Sequence, residues 1–205
     1  MIKQLEQLKI IPVVALHDAD AAIPLADALC AGGLPCVEIT LRTDAGLAGI
    51  RTLANRENFL LGAGTVHSVD QAKASVDAGA RFIVMPGFNP RTVAWCVENK
   101  IPVFPGIATP SDLEMALEHG LEIVKFFPAE TLGGVQTLKA FSGPYHTMRF
   151  IPTGGVGPGN LKDYLHMSCV VACGGSWMVK GDLLKTGAWD EVTRLTEQAV
   201  SLAHS

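Results

Sequence analysis

No run of lysine or arginine occurs anywhere in the chain, and only 18% of its residues are charged. With a formal net charge of -4 there is no basic surplus to hold a nucleic-acid backbone, so nucleic acid is not an expected partner. Long apolar runs are missing too. None approaches the roughly 20 residues that cross a bilayer, and Met1 to Glu6 lack the charged-then-apolar layout of a signal peptide. No membrane partner is expected, and the cytoplasm is the expected compartment. Cysteine is sparse and unpatterned: Cys30, Cys36, Cys96, Cys169 and Cys173 contain no C-x-x-C pair, so reduced thiols are expected. Cys169 and Cys173 would share one strand face as small buried hydrophobes. The histidines, His17, His67, His119, His146, His166 and His204, show neither H-x-H nor H-E-x-x-H spacing. No metal centre and no cofactor are therefore expected. Linkers, low-complexity tracts and a second apolar unit are absent as well, so residues 1–205 read as one compact domain.

What the chain does contain is a regular alternation. Short β-branched apolar runs recur about every 20 to 25 residues, each ending in Gly, Pro or Thr and followed by an amphipathic stretch of helix length. The runs predict strands at Ile10 to Leu16, Cys36 to Leu41, Phe59 to Gly62, Phe82 to Met85, Pro102 to Phe104, Glu122 to Phe126, Arg149 to Ile151 and Cys169 to Cys173. Helices are expected at Ala19 to Ala31, Asp44 to Asn55, Val69 to Ala78, Pro90 to Asn99, Ser111 to His119, Val135 to Phe141, Pro158 to Leu165 and Trp189 to Ala203, with a short one before the first strand. Strands alternating with helices require a parallel sheet with right-handed crossovers, and eight units favour an α/β fold of the (β/α)8 TIM barrel type. A flavodoxin-like open sheet is the competing fold, but its strands, typically about five, would leave three units unused.

In such a barrel the reactive groups gather at the C-terminal ends of the strands. Lys125 closes the apolar run Ile123-Val124-Lys125-Phe126-Phe127-Pro128. Apolar surroundings disfavour an ammonium, and a free amine is the species that attacks a ketone. A plainer reading lets Lys125 lay its methylenes along the strand and emerge at the rim. In Val37-Glu38-Ile39-Thr40-Leu41-Arg42-Thr43 strict alternation puts Glu38, Thr40 and Arg42 on one face. The apolar face must meet the helices, so Glu38 and Arg42 point inward, where charge is costly unless paired or used. Glu38 is either a structural ion-pair partner or the proton shuttle that imine chemistry needs. Arg42 offers a planar fork for a carboxylate.

Leu61-Gly62-Ala63-Gly64-Thr65-Val66 lets backbone approach a ligand, with the Thr65 hydroxyl as a donor, though a tight turn explains it almost as well. The doublets Thr153-Gly154-Gly155 and Gly174-Gly175-Ser176 follow the seventh and eighth strands. Barrels of this class often bind phosphate on backbone N–H groups there. From these residues alone, two other readings stay open: a non-covalent phosphosugar epimerase or isomerase with Glu38 as base, and a silent phosphosugar-binding protein.

Taken together and in order, the segments Val37 to Thr43, Gly62 to Val66, Pro105-Gly106-Ile107-Ala108-Thr109, Val124 to Glu130, Pro152-Thr153-Gly154-Gly155-Val156 and Gly174-Gly175-Ser176-Trp177 resemble the 2-keto-3-deoxy-6-phosphogluconate (KDPG) aldolases. Many of these also act as 4-hydroxy-2-oxoglutarate (KHG) aldolases. The resemblance spans nearly the whole chain. It implies a class I aldolase with Lys125 as the Schiff-base lysine and Glu38 as general acid and base. It implies further that Arg42 and Thr65 hold the pyruvate carboxylate and that Pro86 and Phe127 form pocket walls. Thr153 would contact the aldehyde-derived portion, with Gly154, Gly155, Gly174, Gly175 and Ser176 at the phosphate end. A keto-deoxy sugar acid phosphate as small-molecule substrate, a homotrimer and a place in the Entner–Doudoroff pathway are implied likewise. Where some relatives carry Arg at the end of the first strand, this chain has Leu16-His17.

Overall fold

Short β-branched segments with no polar edge to spare pair in parallel and bury both faces, and that is what the computed structural model, which describes residues 1–205, contains. Its strands are β1 (Ile10–Val14), β2 (Cys36–Thr40), β3 (Leu60–Gly64), β4 (Phe82–Val84), β5 (Val103–Phe104), β6 (Gly106–Ile107), β7 (Ile123–Phe126), β8 (Arg149–Pro152) and β9 (Cys173–Gly175). Six of them form one sheet in the order β5-β4-β3-β2-β1-β9 and three form another, β6-β7-β8. All pairings are parallel. The sheets meet at both flanks. Only Pro105 separates β5 from β6, and its carbonyl accepts the Lys125 N–H at 2.9 Å. On the far side, isolated parallel bridges join Phe150 to Val170 and Thr153 to Gly174.

The helices are α1 (Ile2–Leu8), α2 (Ala22–Ala31), α3 (Ala45–Leu53), α4 (Val69–Asp77), α5 (Pro90–Glu98), α6 (Pro110–Glu118), α7 (Gly134–Ser142), α8 (Leu161–Leu165), α9 (Gly181–Thr186) and α10 (Trp189–His204). Several begin where side chains satisfy the free N–H groups of the first turn. Ser68 accepts from Gln71, Asn89 accepts from Arg91 and Thr92, and Thr109 and Asp112 form a reciprocal capping box ahead of α6. Pro90 and Pro110 occupy first-turn positions where a missing N–H costs nothing.

Two apolar layers follow from the period-two alternation of the strands. Val37 and Ile39 face outward into the sheet–helix layer, while Cys36, one residue out of phase, packs inside with Ile11, Leu60, Phe82, Phe104, Ile123 and Ile151. Leu5 of α1 joins this inner cluster, fully buried, so the amino-terminal helix fills the end of the sheets away from the strand termini that carry the polar residues. The result is an α/β fold whose parallel sheets curl around a shared apolar interior.

Several element boundaries differ from expectation, and three of the strand differences have a visible physical cause. The third strand runs to Gly64 rather than stopping at Gly62, because the glycine-rich stretch keeps full register with β2, Gly64 opposite Thr40. The fifth strand is divided, since Pro105 has no N–H to donate to a ladder. The eighth lies at Cys173–Gly175, not Cys169 to Cys173. Val170 instead closes a turn onto the Met167 carbonyl, so Cys173 is buried while Cys169 sits half-buried beside the Ser142 hydroxyl. The two cysteines therefore do not share a strand, and α9 was not foreseen.

Candidate active site

Glu38 and Lys125 come from strands that are not neighbours, β2 and β7, yet meet across the interior. Their side chains approach to 3.9 Å between Lys125 Nζ and Glu38 Oε1, and both are almost wholly buried, 5% and 2% exposed. At that separation the two attract without a formed hydrogen bond. Glu38 Oε1 has no hydrogen-bond partner within the chain. Burial pushes the Glu38 carboxyl above its ordinary range, against the opposing pull of Lys125 first and Arg42 second. Desolvation therefore wins, and the group is inclined to hold a proton. Lys125 Nζ also lies 4.8 Å from the centroid of the Phe127 ring, which forms one wall beside it.

The carboxyl reaches this place because Gly64 has no side chain. A Cβ there would stand 2.1 Å from Glu38 Oε1 and 2.6 Å from its Cγ. Immediately after, Thr65 takes a left-handed backbone, φ 58°. For a β-branched residue this costs on the order of 1–3 kcal/mol. Its neighbours hold it there: the Gly64 carbonyl accepts from Leu41 N at 2.8 Å and Val66 N donates to Val84 at 3.2 Å. The half-buried Thr65 thus follows directly on the glycine that packs against the Glu38 carboxyl.

Arg42 lies two residues past β2 on the Glu38 side of the alternation; because the strand ends at Thr40, it is exposed rather than enclosed in the interior with Glu38 as expected. Its Nε donates to Thr40 Oγ1 at 3.2 Å, and Thr40 donates in turn to the Val14 carbonyl at 2.8 Å. Thr40 is therefore a support for Arg42 that sequence reading left without a role, although its parity with Glu38 and Arg42 was visible. Pro86 follows β4 by two residues and is half-buried, its carbonyl packed against the Cα of Gly106.

Thr153 is buried at the end of β8, donating its N–H to Phe126 O at 2.9 Å, with its hydroxyl against the Cα of Gly174. Gly154 and Gly155 both adopt positive φ, 95° and 82°, which a side chain would strain. The N–H groups of Gly155 and Val156 donate to no acceptor within the chain. Successive N–H groups free in this way form a concavity suited to an anion. Gly174 and Gly175 are buried in β9, and exposed Ser176 follows them. The structure thus brings Glu38, Lys125 and Phe127 into one cluster, with Thr65 joined to it through Gly64, and joins Thr153 directly to Gly174. His17, after β1, lines a cavity of about 560 Å³ with Leu16, Asp18, Lys185 and Trp189.

Sequence reading missed the frame behind the glycine doublet. Glu130, in the turn after β7, accepts a hydrogen bond from the Tyr164 hydroxyl of α8. Asn160 bonds the Gly155 carbonyl at 3.1 Å and the Gly157 N–H at 2.8 Å. These partners lie up to 34 residues apart with no shared motif, so no local signal announces them.

The model of the KDPG and KHG aldolase family matches residues 1–195. The chain is 46% identical over 203 residues to the 2-dehydro-3-deoxy-phosphogluconate aldolase of Haemophilus influenzae, covering 98% of this chain and 96% of that protein. It is 41% identical to the KHG/KDPG aldolase of Escherichia coli K12, over 93% of this chain and 90% of the relative. Among solved structures it superposes with a TM-score of 0.93 on the KDPG aldolase of Legionella pneumophila, in which pyruvate was captured at low pH as a covalent carbinolamine. The two share 36% identity over 97% of each chain.

Proposed function

Since the chain belongs to the KDPG and KHG aldolase family, we propose that it cleaves 2-dehydro-3-deoxy-6-phosphogluconate to pyruvate and glyceraldehyde 3-phosphate through a Schiff base on Lys125. It cleaves 4-hydroxy-2-oxoglutarate to pyruvate and glyoxylate by the same steps. The observation that carries this reading is the buried pair 3.9 Å apart: an amine in reach of a carboxyl that burial inclines to hold a proton.

The unprotonated Lys125 amine adds to the C2 ketone and gives a carbinolamine. Glu38 in its acid form protonates the departing hydroxyl, water leaves, and an iminium remains with Glu38 now a carboxylate. That carboxylate takes the C4 hydroxyl proton. The C3–C4 bond breaks, its electron pair moves into the iminium, and the aldehyde leaves as an enamine of pyruvate forms. Glu38 returns the proton to C3, and water hydrolyses the new iminium to release pyruvate; the proton this liberates passes to Glu38, so the free amine and the acid form are both restored. Phe127 and Pro86 wall the pocket. Arg42 and Thr65 hold the pyruvate carboxylate, Arg42 as a charged fork and Thr65 as a hydroxyl donor. Thr153 faces the aldehyde-derived carbons. Gly154, Gly155, Gly174, Gly175 and Ser176 receive the phosphate, supported by the free N–H groups at 155 and 156.

We infer also that the two sheets make one (β/α)8 barrel, supported by their meeting at Pro105 and at the β8–β9 bridges. The same reading makes residues 1–205 one domain, working as a homotrimer in the cytoplasm within the Entner–Doudoroff pathway. It needs neither metal nor cofactor, because the imine itself is the electron sink. The test is pyruvate release, coupled to lactate dehydrogenase, from both substrates, with Lys125→Ala alongside. Turnover by the parent and none by the variant is expected; a Lys125→Ala protein that still turns over either substrate would reject the covalent route.

A further inference from the structure

The segment after β7 runs beside the glycine doublet like an extra rung of the sheet. Ala129 N donates to Thr153 O at 2.8 Å and Glu130 N to Gly154 O at 3.0 Å. The stem of Glu130 then lies flat on Gly155, where a Cβ would stand 2.6 Å from both its Cβ and its Cγ. Its carboxylate turns away and accepts from the hydroxyl of Tyr164, a fully buried residue of α8. Burial first, and then the bond to Glu130, pushes the Tyr164 phenol up, so it stays a donor. Asn160, just before α8, holds the Gly155 carbonyl from the other side. Both glycine carbonyls are thereby tied to the frame, while the amides at 155 and 156 are left free.

Resting on the proposed function, we propose that Glu130 and Tyr164 are positioning residues for the distal phosphate of the substrate. They form a latch that ties the strand bearing Lys125 to the Gly154–Gly155 loop and keeps the Glu130 carboxylate off the site that phosphate occupies. The latch has two parts with different consequences. The Glu130 stem and backbone fix where the loop amides stand relative to the amine that binds the other end of the same substrate. The Tyr164 hydroxyl restrains a negative charge that, if released, would swing beside an anion and repel it. The latch therefore governs only substrates long enough to reach the loop. 4-Hydroxy-2-oxoglutarate ends in a carboxylate directly on C4, two carbons short of the phosphate-bearing C6, and does not depend on it.

The test is steady-state kinetics on both substrates, with reductive trapping of pyruvate as a check on the folded site. For Tyr164→Phe we expect KM for the phosphorylated substrate to rise about 5- to 10-fold, with kcat, and kcat/KM for hydroxyoxoglutarate, within about 2-fold of the parent. Glu130→Gln in the Tyr164→Phe background should recover part of that KM, since the freed charge is gone. If Tyr164→Phe fails to fold, Glu130→Ala at its exposed position, which removes the stem lying on Gly155, must show a selective rise in KM for the phosphorylated substrate. Equal losses on both substrates, an unchanged KM, or no recovery in the double variant would overturn the latch. A parent protein that does not cleave the phosphorylated substrate would instead overturn the proposed function itself.

Discussion

Gly64→Ala tests whether the Glu38 carboxyl must stand where it does. The added Cβ would lie 2.1 Å from Oε1, 2.6 Å from Cγ and 2.7 Å from Cδ, against an ordinary contact of roughly 3.5 Å. Glu38 must therefore retreat by about 1 Å or more, and a displacement of that size can cost about 100-fold in rate, or roughly 2.7 kcal/mol of transition-state stabilisation. Overpacking at a fully buried strand position should also lower stability by about 1–3 kcal/mol. The assay is kcat by lactate dehydrogenase coupling at saturating substrate, read beside a thermal melt to confirm that the protein remains folded. Lys125 keeps its place on the opposite strand, so reductive trapping with pyruvate persists at a reduced rate while turnover falls. A folded Gly64→Ala protein with kcat within about 2-fold of the parent would refute the claim that proton transfer depends on the present position of Glu38.

Two further variants separate stability from function. Burial raises the Glu38 carboxyl above its ordinary 4.5, so the folded protein binds that proton more tightly than the unfolded chain; the resulting stability is full below about pH 4.5 and is lost as pH rises through the folded-state value. Glu38→Gln, which cannot ionise, should therefore melt higher than the parent at neutral pH, with the gain vanishing toward pH 4.5, while kcat falls about 100- to 10,000-fold. A variant less stable than the parent throughout that range would contradict the desolvation argument. Thr65→Gly removes a strained β-branched residue at φ 58° at the expense of added chain entropy, so stability should hold within about 1 kcal/mol while the pyruvate concentration needed for half-maximal trapping rises. An unchanged pyruvate requirement would remove Thr65 from the carboxylate site.

Much of the fold was legible because parallel strands buried on both faces read as short apolar runs, and because glycine, proline and threonine mark where each one stops. Glu38 was legible for the same reason: on a strand with period two, a carboxylate in phase with Thr40 and out of phase with Val37 and Ile39 has only the interior to enter. Lys125 stood out as a cation in an apolar strand. The register of the last strand was not legible, because the apolar run Val170 to Ala172 looks the same whether it forms a strand or approaches one from a turn at Met167. The return of the sheet after Pro105 was not legible either, because the two-residue strand Gly106–Ile107 is defined only by its pairing with β7, distant in the chain. The latch of Glu130 and Tyr164 is a tertiary pairing between a turn and a helix, and periodicity carries no trace of it.

The proposed chemistry turns on a covalent bond between C2 of the substrate and Nζ of Lys125. Incubation with pyruvate and borohydride followed by peptide mass mapping tests it most directly. A single reduced pyruvyl adduct is expected on the peptide bearing Lys125, absent when that residue is Ala. An adduct on another lysine, or efficient turnover of the phosphorylated substrate with no adduct at all, would contradict it.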